Sequence, residues 1–197
     1  MVKIICLVGE SSCGKDSILK EVLNRNPQLK PIISTTSRPM RKGETDGIEY
    51  NFKTITEVNQ MLQNDCFIEN RQYKVANGDI WIYGITKKAI DLESNNIYVV
   101  IVDGQGLDQM KQYAETNNCK VVSIFIDCPD NERLKRALTR EGELTKEQEA
   151  EIHRRQKADR VEVKPYKYKC DLVLRNRYRR DFEDCIKLIT NLANVLI

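Results

Sequence analysis

Near its amino end the chain passes from an apolar run, Ile4-Ile5-Cys6-Leu7-Val8, into Gly9-Glu10-Ser11-Ser12-Cys13-Gly14-Lys15-Asp16-Ser17. A helical pattern carried by Ile18, Leu19, Val22 and Leu23 follows. Strand, glycine-bounded loop, lysine, hydroxyl and helix, in that order, form the layout of a phosphate-binding P-loop. Glycines let the backbone turn tightly and bring N–H groups close to phosphate oxygens. The helix N-terminus adds a partial positive charge, and Lys15 adds a full one. The expected ligand is a nucleoside polyphosphate with a divalent metal. The Gly-x4-Gly-Lys spacing is complete, but Asp16 stands where a Ser or Thr usually follows the lysine, and the hydroxyl of Ser17 comes one residue later. The alternative is a glycine turn that joins a strand to a helix by chance, against which stands the correct order of all three elements.

At 197 residues the chain is long enough for one domain with a real core. It is 41% hydrophobic and 31% charged, which reads as soluble and globular, and its net charge of +3 does not argue for nucleic-acid or membrane binding. No apolar run approaches the roughly 20 residues of a membrane-spanning helix. Seven cysteines, none in a Cys-x-x-Cys pair, and a single histidine, His153, give no zinc spacing. The odd count without a signal peptide points to reduced thiols in a cytoplasmic protein. Cys6 and Cys128 read as buried small hydrophobes. Cys13 lies near a helix N-terminus and Lys15, where a thiolate is favoured, although a tolerated loop side chain is the simpler reading.

Ile4–Val8, Ile97–Val102, Val121–Ile126 and Leu172–Leu174 are near-continuous apolar runs, expected as parallel strands buried on both faces. Helical patterns lie between them, and Phe182, Cys185, Ile186, Ile189, Leu192, Ala193 and Leu196 form an apolar stripe on a last helix. Alternating strand and helix implies an α/β fold with a parallel sheet flanked by helices. Residues 34–84 and 129–162 do not fit that core. The first region carries turns and short strand-like pieces; the second is polar and reads either as a moving lid or as a solvated surface hairpin.

A second constellation follows Pro31-Ile32-Ile33: Ser34-Thr35-Thr36-Ser37-Arg38-Pro39-Met40-Arg41-Lys42-Gly43-Glu44. Two arginines three apart, beside several hydroxyls, suit an anion, because guanidinium forks match phosphate oxygens. A solvated basic loop is the alternative, and composition alone does not exclude it.

The run Ser-Thr-Thr-Ser-Arg-Pro-x-Arg-x-Gly-Glu-x-Asp-Gly-x-x-Tyr-x-Phe, residues 34–52, resembles the GMP-binding signature of guanylate kinases. The resemblance continues in Phe67-Ile68-Glu69, Trp81-Ile82-Tyr83-Gly84, Asp103-Gly104-Gln105-Gly106, Ile152-His153-Arg154-Arg155 and Asp171-Leu172-Val173-Leu174-Arg175-Asn176. It implies a P-loop NTPase fold with a core of 1–33, 85–128 and 163–197, an inserted nucleoside-monophosphate-binding subdomain at 34–84 and a lid at 129–162. It implies that Ser34, Arg38, Arg41, Tyr50 and Tyr83 hold the GMP phosphate, and that Glu69 and Asp103 face guanine. Residues 9–17 would hold ATP phosphates, with Asn176 near adenine. Lys15, Arg38, Arg140 and Arg155 would act on the transferring phosphoryl group, and Asp16 and Ser17 would hold Mg2+. Arg140 matches more loosely than Arg155, because Arg140-Glu141-Gly142 does not align cleanly with the family's Gly-Arg-Gly. The implied reaction is transfer of the ATP γ-phosphoryl group to GMP or dGMP, in a monomer or homodimer whose partners are these nucleotides.

Several positions depart from the family pattern. Glu10 and Ser12 replace Pro and Gly, and Glu10, a carboxylate near phosphates, is expected to point outward. Ile85 stands where a Ser or Thr would donate to guanine O6, Ile101 takes the place of a first carboxylate before Asp103, and Tyr73–Ile80 is longer than expected. These changes leave open a related nucleoside monophosphate kinase with altered base preference, a non-catalytic binding module of the same fold, or a P-loop protein acting on another phosphorylated small molecule.

Overall fold

The structure is a computed structural model; it describes residues 1–41, 43–75, 78–141 and 145–196, with the side chains of 140, 141 and 147 excepted. In chain order the first half runs β1 (Lys3–Val8), α1 (Lys15–Arg25), β2 (Leu29–Pro31), β3 (Thr35–Thr36), β4 (Asn51–Phe52), α2 (Ile55–Gln63), β5 (Phe67–Lys74) and β6 (Ile80–Thr86). The second half runs β7 (Ile97–Ile101), α3 (Gly104–Thr116), β8 (Lys120–Asp127), α4 (Asp130–Glu141), α5 (Lys146–Glu162), β9 (Leu172–Arg175) and α6 (Arg179–Leu196).

Five strands form one sheet in the order β2-β7-β1-β8-β9, with every neighbouring pair parallel. Successive side chains of a strand point to opposite faces, and β1 fills both. Ile5 and Leu7 pack with Ile18 and Val22 of α1 and with Ile186 and Ile189 of α6. Ile4, Cys6 and Val8 pack with Leu107 and Met110 of α3 and with Tyr166. Each such buried side chain contributes about 1.5–3 kcal/mol, which explains why the strand is apolar without alternation. The chain leaves the carboxyl end of this central strand straight into the loop at 9–14, the edge at which open α/β sheets receive ligands.

The run at Leu172–Leu174 behaves differently from the expectation of two buried faces. As β9 it is the outermost strand, and Leu172 and Val173 are each 43% exposed. An edge strand has a neighbour on one side only, so an apolar run does not guarantee cover.

A second, four-stranded sheet has the order β4-β3-β6-β5, with β3 parallel to β4 and antiparallel to β6. Val58 of α2 closes a small core with Phe67 and Ile82 beneath it, and α2 begins at a Thr54–Glu57 capping box. The long segment around Tyr73–Ile80 is used in extending the β5–β6 hairpin, where Tyr73 pairs with Trp81 and Lys74 with Ile80. β5 packs on α3, so this sheet lies beside the carboxyl ends of β1 and β7. Among the described residues no helix is long and apolar enough to cross a membrane.

Candidate active site

The loop between β1 and α1 is held from below. Gly14 adopts φ +100, and a Cβ there would meet Asn176 Nδ2 at 2.4 Å, so both conformation and space require glycine. Asn176 is buried and donates through Nδ2 to the Cys13 carbonyl at 2.7 Å; Arg136 Nη1 donates to the same oxygen at 3.2 Å. Lys15 lies folded across the loop, its Nζ donating to the carbonyls of Gly9 at 2.6 Å and Glu10 at 3.0 Å. Asp16 and Ser17 are exposed in the first turn of α1. Cys13 does not sit in a thiolate-favouring place: it is fully buried, and burial pushes its thiol up against the opposing effect of Lys15.

Glu10 does not point outward. It is 2% exposed, and Arg133 Nη2 donates to its Oε1 at 2.8 Å. Arg133, equally buried, also donates through Nη1 to the Ser11 carbonyl and to Asp159 Oδ2, both at 3.1 Å, and through Nη2 to Asp130 at 3.1 Å. Asp159 Oδ2 accepts the Ser11 backbone N–H at 2.7 Å. A carboxylate near a phosphate site must be neutralised or shielded; here burial pushes the Glu10 carboxyl up and Arg133 works in the opposite direction. The loop is therefore clamped to both helices of the polar hairpin. That hairpin is not merely a solvated surface: α4 and α5 bury Arg133 and Asp159 at its base. Sequence reading missed both residues because neither belongs to a motif. One signal existed, since Arg133 precedes the buried Ala137 by four residues and so shares its face of α4.

Arg155 lies on α5 one turn before Asp159, about 6 Å along the axis. It is exposed and pairs with Glu151 at 2.8 Å. Arg154 and Arg155 together hold Glu151 down to about 2. The side chain of Arg140 lies outside the described residues.

The second constellation converges on Arg38, which is 3% exposed. Its fork meets the Glu44 carboxylate through two bonds, Nη1–Oε2 at 3.0 Å and Nη2–Oε1 at 2.7 Å. Glu44 also accepts the Arg41 N–H at 2.7 Å, and Arg38 holds its carboxyl below the ordinary range. The Glu44 carboxylate thus occupies the guanidinium fork. Tyr50 stacks edge-on with Tyr83 at 5.7 Å, and the Arg38 guanidinium lies 5.4 Å from the Tyr50 ring centre. Burial, then Tyr83 and Asp16, push the Tyr50 phenol up. Ser34 is half-buried beside the group, while the Arg41 side chain is exposed.

Glu69 and Asp103 meet beside Gly106 of α3. A Cβ on Gly106 would lie 3.0 Å from Glu69 Oε2 and 3.4 Å from Asp103 Oδ1, so the two carboxylates share one small space. Burial and then Asp103 push the Glu69 carboxyl up to about 7. Asp103 caps α3 by accepting the Gly106 N–H at 2.9 Å; Tyr73 donates its hydroxyl to Asp103 Oδ2 at 2.9 Å, and Arg71 pairs with Oδ1 at 2.8 Å. Arg71 and Tyr73 were not among the expected site residues. Ile85, opposite Glu69, is fully buried.

Among the described residues no group of three or more His, Cys, Asp or Glu side chains is placed to hold a metal. One exposed carboxylate and one hydroxyl, Asp16 and Ser17, suit a magnesium ion that takes its remaining ligands from phosphates and water.

The family model described as guanylate kinase matches residues 1–194. The chain is 30% identical over 164 residues to the guanylate kinase of Mesorhizobium japonicum, covering 83% of this chain and 71% of that protein. With the Clostridioides difficile guanylate kinase the identity is 31% over 166 residues, 83% of this chain and 75% of the relative. The match to the Helicobacter hepaticus guanylate kinase is 34% identical over 112 residues and spans 54% of that protein. The crystal structure of guanylate kinase from Anaplasma phagocytophilum has a similar fold, with a TM-score of 0.64 at 23% identity, over 98% of this chain and 86% of that one.

Proposed function

The chain belongs to the guanylate kinase family, and from that membership we propose that it catalyses reversible transfer of the ATP γ-phosphoryl group to GMP or dGMP, giving ADP and GDP. The observation that supports this reading is that the chain builds two candidate anion sites, the loop at 9–17 with Lys15 and the cluster of Arg38, Tyr50 and Tyr83. A donor and an acceptor phosphate site facing each other are what in-line transfer needs.

In this reading Lys15 leaves the Gly9 and Glu10 carbonyls to meet the ATP phosphates, and the loop amides hold them. Arg38 releases Glu44 to take the GMP phosphate, assisted by Ser34, Arg41, Tyr50 and Tyr83. Glu69, ionised, accepts N1–H and N2–H2 of guanine, with Asp103 beside it. Adenine has an acceptor at N1, so the same carboxylate would repel it; an unpaired buried polar group can cost a factor of about 10^4 in discrimination. Arg155, and Arg140 with it, would descend with α4 and α5 onto the transferring phosphoryl group and exclude water. Residues 129–162 then serve as the lid, residues 34–84 as the GMP-binding part and the remainder as the core. Asn176, buried beneath the loop, would support the adenine end. Asp16 and Ser17 would hold Mg2+, which screens charge on the β- and γ-phosphate oxygens. The working partners are nucleotides, with no nucleic acid or membrane, in a cytoplasmic monomer or homodimer.

The test offers ATP and Mg2+ with GMP, dGMP, AMP, UMP or CMP and measures ADP release. Turnover confined to GMP and dGMP is expected. Faster turnover of AMP would instead support the altered-base reading that Ile85 raises, and GMP binding without turnover would support a binding module.

A further inference from the structure

The base-facing surface of the acceptor site offers an arginine where the family pattern offers a hydroxyl. Alternate residues of a strand share a face, so Glu69, Arg71 and Tyr73 of β5 point together, with Ile85 opposite Glu69 and Tyr83 opposite Arg71 on β6. Guanine presents donors at N1 and N2 but acceptors at O6 and N7. Ionised Glu69 and Asp103 only accept. Ile85, at the position of the expected O6 donor, is apolar and fully buried. The Tyr73 hydroxyl donates to Asp103. Arg71 remains: its side chain is 15% exposed, Nη1 lies 2.8 Å from Asp103 Oδ1, and Nη2 lies 3.2 Å from Glu162 Oε2 at the end of α5. A guanidinium carries five N–H donors, more than these two ion pairs consume.

We infer that Arg71 is a specificity-determining residue of this site, presenting its fork to O6 and N7 of guanine and taking over the task of the hydroxyl that position 85 lacks. The inference rests on the proposed reading of the acceptor as GMP. An arginine fork on O6 and N7 is the commonest base-specific contact to guanine, and the amino group of adenine would turn its donors against those of Arg71. Asp103 on one side and Glu162 on the other hold the guanidinium, and its charge lets both carboxylates share the pocket.

The experiment compares wild type, Arg71→Met, Arg71→Lys and the double variant Arg71→Met/Ile85→Ser. Each is assayed with GMP and with 7-deazaguanosine 5′-monophosphate, which keeps N1–H, the N2 amino group and O6 and lacks only the N7 acceptor. Arg71→Met is expected to lower kcat/KM for GMP about 10–100-fold, mainly through KM, and to affect the N7-free analogue less. Arg71→Lys keeps the charge toward Asp103 and Glu162 but not the fork; it is expected to show an intermediate, equally selective loss and serves as the reading should the methionine variant not fold. Adding Ile85→Ser is expected to recover much of the GMP loss. Equal losses with both acceptors, no loss at all, or no recovery with the serine would overturn the inference and leave Arg71 as a support for Asp103. Failure of the guanine reading has a different signature, wild-type preference for AMP over GMP.

Discussion

Glu10 of the phosphate loop and Arg133 of α4 form an ion pair at 2.8 Å in which the two side chains are 3% and 1% exposed. Removing one partner of such a pair leaves an uncompensated buried charge, at a cost of about 3–5 kcal/mol. Arg133→Ala strands both Glu10 and Asp159 and is expected to destabilise by that amount in urea unfolding. Replacing Glu10 as well removes one of the two stranded charges, so Glu10→Leu/Arg133→Met is expected to unfold at higher urea than Arg133→Ala. A double variant no more stable than the single one would show that the pair contributes through more than charge cancellation.

The Glu69 carboxyl is pushed up to about 7 in the nucleotide-free protein, and two consequences have opposite signs. Guanine needs the ionised form, so KM for GMP is expected to rise about tenfold per pH unit below that value. Without nucleotide, the folded protein holds a proton that the unfolded chain releases near the ordinary glutamate pKa. Folding stability is therefore expected to fall as pH rises from about 4.5 to 7. Glu69→Gln removes this titration, so melting curves of the variant and wild type should diverge across that window; parallel curves would rule out the shift.

Arg155 is exposed and pairs with Glu151 on the surface of α5. Arg155→Ala is expected to change stability by less than about 0.5 kcal/mol while lowering kcat by about 10^3-fold, with a smaller change in KM. Equal loss of turnover and of nucleotide binding, read by single-turnover kinetics and calorimetry, would count against its place on the transferring phosphoryl group.

Asp16 is exposed in the first turn of α1, where the family pattern has a hydroxyl. Asp16→Ala is expected to raise the Mg2+ concentration giving half-maximal rate by several-fold, and Asp16→Ser to restore much of it. An unchanged Mg2+ requirement in both would show that Asp16 does not reach the metal.

The loop at 9–17 and the residues from Ser34 to Phe52 were legible in the sequence because their tasks depend on backbone shape and local spacing. Gly14 must be glycine whatever surrounds it at φ +100, and apolar runs in β1, β7 and β8 announce a sheet covered on both faces. Leu172–Leu174 looked the same locally, yet it is the edge strand. Strand order is set by which strands pair, and a run of three residues does not carry that.

The sequence alone determined that a phosphate loop opens a parallel α/β core and that a guanidinium cluster follows it. Only the tertiary structure decided what becomes of the charges. Glu10 turns inward because Arg133, 123 residues later, is buried beside it. Arg71 meets Asp103 because β5 packs on α3. Propensity and turn chemistry act between near neighbours in the chain, but the energy of a buried charge depends on which partners the fold brings to it.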